Sequence, residues 1–193
     1  MAFDPPMLAG DDASLLAQAA AGSAAAAAEI YRRYANTVYR FVWALTGSEA
    51  DASDVLQETF IAVIERLSGF DPARGSCAAY LCGVARHLAY ARHRTRVAVV
   101  DDIEALVDAN SSYAEAPPLP DEVTEKRRAI ARLHAAIRHL PPPFREVLIL
   151  VELQELSYAD AAAVAGIELG TVRSRLSRAK TRLAELLARE KTI

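Results

Sequence analysis

The stretch SYADAAAVAGIELGTVRSRLSRAKTRL, Ser157 to Leu183, decides how this chain reads. Ser157 followed by Asp160 has capping-box spacing, with an Asp in place of the longer Glu or Gln, so a helix is expected from there to about Ala165. Gly166 supplies a residue able to take a positive φ at a bend, and IELG completes the turn. A second helix follows from near Thr171. Its Val172, Leu176, Ala179, Leu183 and Leu186 recur at spacings of four, three, four and three, an apolar stripe that must pack on the preceding helices. The opposite side of its first two turns carries Arg173, Ser174, Ser177 and Arg178. A short helix, a Gly-containing turn and a longer helix with an apolar back and an Arg/Ser front is a helix-turn-helix arrangement. The DNA major groove admits an α-helix, Arg reads guanine edges there, and Ser serves several bases. Lys180 and Arg182 are placed to neutralise phosphates, which makes such binding salt-dependent.

Charge supports the same reading. The 193-residue chain has a net charge of −3, yet from Thr171 to Ile193 it carries seven Lys/Arg against two Asp/Glu. Residues 31–96 carry nine bases and six acids, and 97–126 one base and eight acids. The acidic block, with Pro117, Pro118 and Pro120 and little helical periodicity, reads as a flexible linker. Outward from these landmarks the pattern is helical. Ile30, Tyr34, Val38, Phe41 and Leu45 share one face, and Asp51 to Leu67 is a further helix. SGFDPARGS (68–76) is a loop, and CAAYLCGVARHLAYARHRTR a helix that grows steadily more basic. The expected architecture is all-α. It has an N-terminal tail (1–11), a helical domain (12–96), an acidic linker (97–125) and a helix-turn-helix domain (126–193).

Several function classes are excluded. No apolar run approaches the roughly 20 residues that cross a bilayer, and MAFDPPMLAGDD has neither a basic nor an apolar signal region, so a cytoplasmic protein without membrane contact is expected. Cys77 and Cys82, five apart without a partner pair, fall short of a zinc site, and reduced, packed thiols are expected. His87 and His93 are six apart and His134 and His139 five, neither matching the i, i+4 spacing of a helical zinc pair. With no phosphate-cradling glycine loop and no nucleophile elbow, neither catalysis nor a metal or other cofactor is expected.

The pairing of DASDVLQETF with LPPPFREVLIL and LSYADAAAVAGIELGTVRSRLSRAKTRL resembles the bacterial RNA polymerase sigma factors of the extracytoplasmic-function group. The resemblance covers roughly residues 12–96 and 126–188, region two and region four of that family. It implies a subunit that binds core polymerase and directs promoter recognition and transcription initiation. Asp51, Asp54, Gln57, Glu58 and Phe60 match the surface that docks on the clamp helices of the largest polymerase subunit; the flap is the other expected polymerase contact. The helix YLCGVARHLAYARHR matches the part that holds the melted strand of the −10 element. Tyr80, His87 and Tyr90 offer stacking faces there, and Arg86, Arg92 and Arg94 offer cations. Arg74 and Ser76 lie in the matching specificity loop, which accepts a flipped base. Thr171, Arg173, Ser174, Arg175, Ser177, Arg178, Lys180 and Arg182 match the reader of the −35 element. An anti-sigma factor is the further partner implied. The chain departs from the family pattern at Tyr80, where Trp is usual, and at Ala161-Ala162, where Ile-Ala is usual. The alternative is a stand-alone helix-turn-helix regulator with an N-terminal sensing domain, which has no reason to carry DASDVLQETF.

Overall fold

The computed structural model describes residues 11–65, 70–101 and 125–190, without the side chains of 95–101, 125–127 and 190. Eight α-helices run through the described residues, and several of their starts have a local cause. Helix α1 (Asp12–Ala20) is capped by Asp11, whose carboxylate accepts from the Ser14 N–H at 2.6 Å. Ser23 caps α2 (Ala24–Thr46) through the Ala26 N–H, and Gly47 ends that helix at φ 74°, a left-handed conformation that glycine takes without a Cβ penalty. Ser48 accepts from the Asp51 N–H at the start of α3 (Glu49–Glu65). After a 3₁₀ turn at Pro72–Arg74 comes α4 (Cys77–Asp101), which runs five residues into the stretch expected as linker.

The second half begins with α5 (Glu125–Arg138). Pro142 and Pro143 open α6 (Pro142–Leu148), where missing N–H groups cost nothing, and the chain continues as a π-helical turn over Ile149–Leu153. Helices α7 (Tyr158–Ala165) and α8 (Leu169–Glu190) complete it, with Gly166 between them at φ 66°, as its position at the bend requires.

Helices α1 to α4 close around Leu15, Leu16, Ile30, Val38, Phe41, Val42, Val55 and Leu81, all buried. The α5–α8 half closes around Ile137, Leu140, Leu148, Ile149, Leu150, Val172 and Leu176. Ala161, where the resembled family usually has Ile, is fully buried, so the neighbouring helices have closed onto the smaller side chain.

The two halves also pack on each other, a feature that the sequence pattern did not announce. Helix α4 lies against α7, and α2 lies against α5 and the π-helical turn. The Trp43 ring meets His134 edge-on at 4.6 Å, and Arg145 donates to the Leu45 carbonyl at 3.1 Å while also holding the Arg138 and Leu140 carbonyls that end α5. Among the described residues no helix is long and apolar enough to cross a membrane.

Candidate nucleic-acid interface

The helix-turn-helix is built as its residue spacing dictates. The Ser157 hydroxyl accepts from the Asp160 N–H at 3.0 Å, half of a capping box. The reciprocal half is absent: the short Asp160 carboxylate turns instead toward Ser76 of the other half, accepting from its N–H at 3.2 Å and from its hydroxyl at 3.1 Å. On α8, Val172, Leu176 and Ala179 are buried, whereas Arg173, Ser174, Ser177 and Arg178 are all exposed. Thr171 and Arg175 are half-buried at the edge of this front, and Lys180 and Arg182 are exposed one turn farther along. Four of these eight side chains have local engagements. The Arg173 guanidinium lies 6.0 Å from the centre of the Tyr158 ring, Arg182 lies 4.7 Å over Phe144, Lys180 pairs with Glu152 at 2.8 Å, and the Ser174 hydroxyl donates to the Thr171 carbonyl at 3.1 Å. Each is a surface contact that a phosphate or base edge can replace.

The second set surrounds a cavity of about 490 Å³. Arg74, Ser76, Tyr80 and His87 line it, with Phe70 and Val84 on the same wall. The Tyr80 and Phe70 rings stand 5.5 Å apart, tilted by 47°. The far wall is Ala163 and Val164, from the first helix of the helix-turn-helix. The remaining residues expected to face a melted strand are arranged differently. Tyr90 is half-buried beneath the Arg86 guanidinium, 5.0 Å away. Arg86 is ion-paired with Glu146, a carboxylate only 3 % exposed. Arg92 donates to Glu58 and to Asp54, both at 2.6 Å, and Arg94 is exposed. So Arg86 and Arg92, read from sequence as cations for DNA, are neutralised by carboxylates that sequence reasoning did not assign to them. Glu146 was missed altogether, although a Glu within the apolar run FREVLIL was a signal that it needs a buried partner.

The third set lies on α3. Asp54, Gln57 and Glu58 are exposed and Asp51 half-buried. Phe60 does not join them: it is 5 % exposed, its ring 4.9 Å from Tyr31, because position 60 falls on the inward side with Val63. The large apolar residue exposed on this helix is Ile61, at 54 %.

Cys77 and Cys82 are both buried. Burial pushes each thiol up to about 12, with the Asp12 carboxylate adding to the effect at Cys77. Such thiols are protonated and unreactive at neutral pH.

Residues 30–98 match the model for sigma-70 region 2, and residues 130–183 the model for sigma-70 region 4. The first span holds α3 and the cavity wall of Phe70, Arg74, Ser76, Tyr80 and His87, the second the helix-turn-helix with Ala163 and Val164. The chain is 34 % identical over 163 residues to the ECF RNA polymerase sigma factor SigE of Mycolicibacterium smegmatis, covering 83 % of this chain and 61 % of SigE. It is 30 % identical over 179 residues to the RNA polymerase sigma factor CnrH of Cupriavidus metallidurans, covering 91 % of this chain and 94 % of CnrH. CnrH, solved in complex with the cytosolic domain of CnrY, superposes with a TM-score of 0.67 at 26 % identity over 92 % of this chain and 97 % of that one. RpoE of Bartonella quintana, solved with the anti-sigma factor NepR, superposes with a TM-score of 0.65 at 26 % identity over 82 % and 94 %. Two matched regions in the family's order, on an all-helical framework shared with solved members, make one assignment: the chain belongs to the RNA polymerase sigma factors of the sigma-70 family, in their extracytoplasmic-function group.

Proposed function

We propose that this protein binds core RNA polymerase and directs it to promoters, with no catalysis of its own. One observation carries the reading: α8 turns Arg173, Ser174, Ser177 and Arg178 outward together while Val172, Leu176 and Ala179 anchor it. A helix so mounted offers a major groove two guanidinium forks and two hydroxyls on one front. We assign to it the −35 element, with Thr171 and Arg175 at its edge and Lys180 and Arg182 directed to phosphates. To the cavity wall of Arg74, Ser76, Tyr80 and His87 we assign the melted −10 strand, with Tyr90, Arg86, Arg92 and Arg94 alongside. To Asp51, Asp54, Gln57 and Glu58 we assign polymerase docking, where an acidic and amide-bearing face suits a cationic partner helix; the buried Phe60 supports that face from beneath.

A stand-alone regulator with a sensing domain has no use for a region 2 half. The solved partner of RpoE supports control by an anti-sigma factor here too. The work of such a protein is done where polymerase and chromosome are, in the cytoplasm.

The test is reconstitution: the protein, core polymerase and a promoter library. Promoter-dependent transcripts and a stable complex on gel filtration are expected. Asp54→Ala with Gln57→Ala should abolish the complex without changing helix content. No transcript and no complex would end this reading.

A further inference from the structure

Arg92 stands on the helix assigned to the melted strand, yet its guanidinium reaches the helix assigned to polymerase. Its Nη1 donates to Glu58 Oε1 and its Nη2 to Asp54 Oδ2, both at 2.6 Å. One planar fork thus spans two carboxylates that lie four positions apart on α3, about one helical turn. Helix α4 packs along α3, which brings the fork within reach. The Asp54 and Glu58 side chains are 53 % and 47 % exposed, against 33 % for Arg92, so the carboxylates stay open to a partner while the fork lies deeper. Each carboxylate also keeps a second oxygen, Asp54 Oδ1 and Glu58 Oε2, with no partner among the described residues.

We propose that Arg92 is a positioning residue for polymerase docking, holding Asp54 and Glu58 as an ordered pair of acceptors before the polymerase arrives. The proposal rests on the docking reading of α3. Two carboxylates at that helical spacing repel each other, and each side chain loses rotamer freedom when a partner fixes it. The fork offsets the repulsion and fixes both in advance, so a cationic partner side chain meets acceptors that are already in place. Opposed to this ordering is charge, because Arg92 cancels one of the two negative charges that draw such a partner. At half-exposed carboxylates that attraction is weak and screened by salt, whereas the ordering cost of two loose side chains is not screened. Ordering wins, and this sets the sign of the test. Arg92 keeps its place alongside the strand, since a guanidinium has five N–H donors and these contacts use two.

The experiment titrates fluorescently labelled full chain with core polymerase, without DNA, in about 0.15 M KCl. Arg92→Ala should bind about five- to tenfold more weakly than wild type, with unchanged helix content. Should Arg92→Ala lose helix content, Arg92→Gln is read by the same outcomes. A double-mutant cycle with Glu58→Gln separates positioning from general support of the fold. If Arg92 acts through these carboxylates, its replacement in Glu58→Gln should cost only about twofold. Binding by Arg92→Ala as tight as wild type, or tighter, overturns the proposal, and so does an equal loss in both backgrounds. A loss that appears only when promoter DNA is added gives Arg92 to the strand alone and overturns it as well. If wild type itself forms no complex with polymerase, the docking reading falls and this proposal with it. If wild type binds and Arg92→Ala binds equally well, the positioning role alone falls.

Discussion

Removing Arg178 separates a DNA-reading helix from a merely solvated one. Arg178 is exposed on α8 and, among the described residues, makes no ion pair. Among the described residues no ion pair or ring contact of Arg178 has to be given up before it meets a base, and a good bidentate contact discriminates by about 1–3 kcal/mol. Arg178→Ala should therefore weaken binding of a selected −35 duplex about 5- to 150-fold. Arg173 starts from a different state. Its guanidinium rests 6.0 Å from the Tyr158 ring centre, a contact worth about 0.5–1 kcal/mol at an exposed site. It surrenders that contact on binding, so Arg173→Ala should cost about two- to fivefold less than Arg178→Ala if both reach bases equally well. The assay is fluorescence anisotropy of a labelled duplex with holoenzyme over a series of KCl concentrations. A base contact shows as lost preference among sequences. A phosphate contact shows as a uniform loss, with the salt slope reduced by about 0.9. Arg178→Ala within twofold of wild type, with unchanged helix content, would refute the argument that this front faces DNA.

Other outcomes follow from the packing. Leu176→Ala removes a nearly fully buried side chain at the centre of the α8 stripe, so unfolding of the second half in urea should shift by about 2–5 kcal/mol; a shift below 1 kcal/mol means that the stripe is not an anchor. His134 is held below its ordinary value of 6.5 by burial first, then by Arg138 and Arg40. The folded state prefers the neutral ring, so the stability it lends is present above 6.5 and lost as pH falls through the lowered folded value. Trp43, the single tryptophan, touches that ring, and its emission in the native protein should change only as pH falls below 6.5; in His134→Phe the change should vanish. Finally, iodoacetamide at pH 8 should leave Cys77 and Cys82 unmodified in the native protein and alkylate both in denaturant, because burial holds each thiol at about 12. Rapid native labelling of either would mean that the α4 core opens.

What could be read from sequence was whatever depends on neighbours along the chain. A three-four spacing tells which side of α8 is buried without knowing what buries it, and Val172, Leu176 and Ala179 are indeed the buried ones. Gly166 follows from the bend alone, and the Ser157 cap from the next three residues. The failures share one cause: each needed a partner distant in sequence. Phe60 lies one position from Ile61, and it is Phe60 that turns inward with Val63, its ring against Tyr31 of α2. Asp160 has the spacing to cap its own helix, but its carboxylate is too short for that and meets Ser76, 84 residues away. Arg86 and Arg92 have the composition of a DNA face, yet their carboxylates come from α6 and α3. Charge on a helix therefore reports a demand for an opposite charge, not the molecule that supplies it. Here α6 and α3 supply it to Arg86 and Arg92, whereas Arg173, Ser177 and Arg178 on α8 have no carboxylate partner among the described residues.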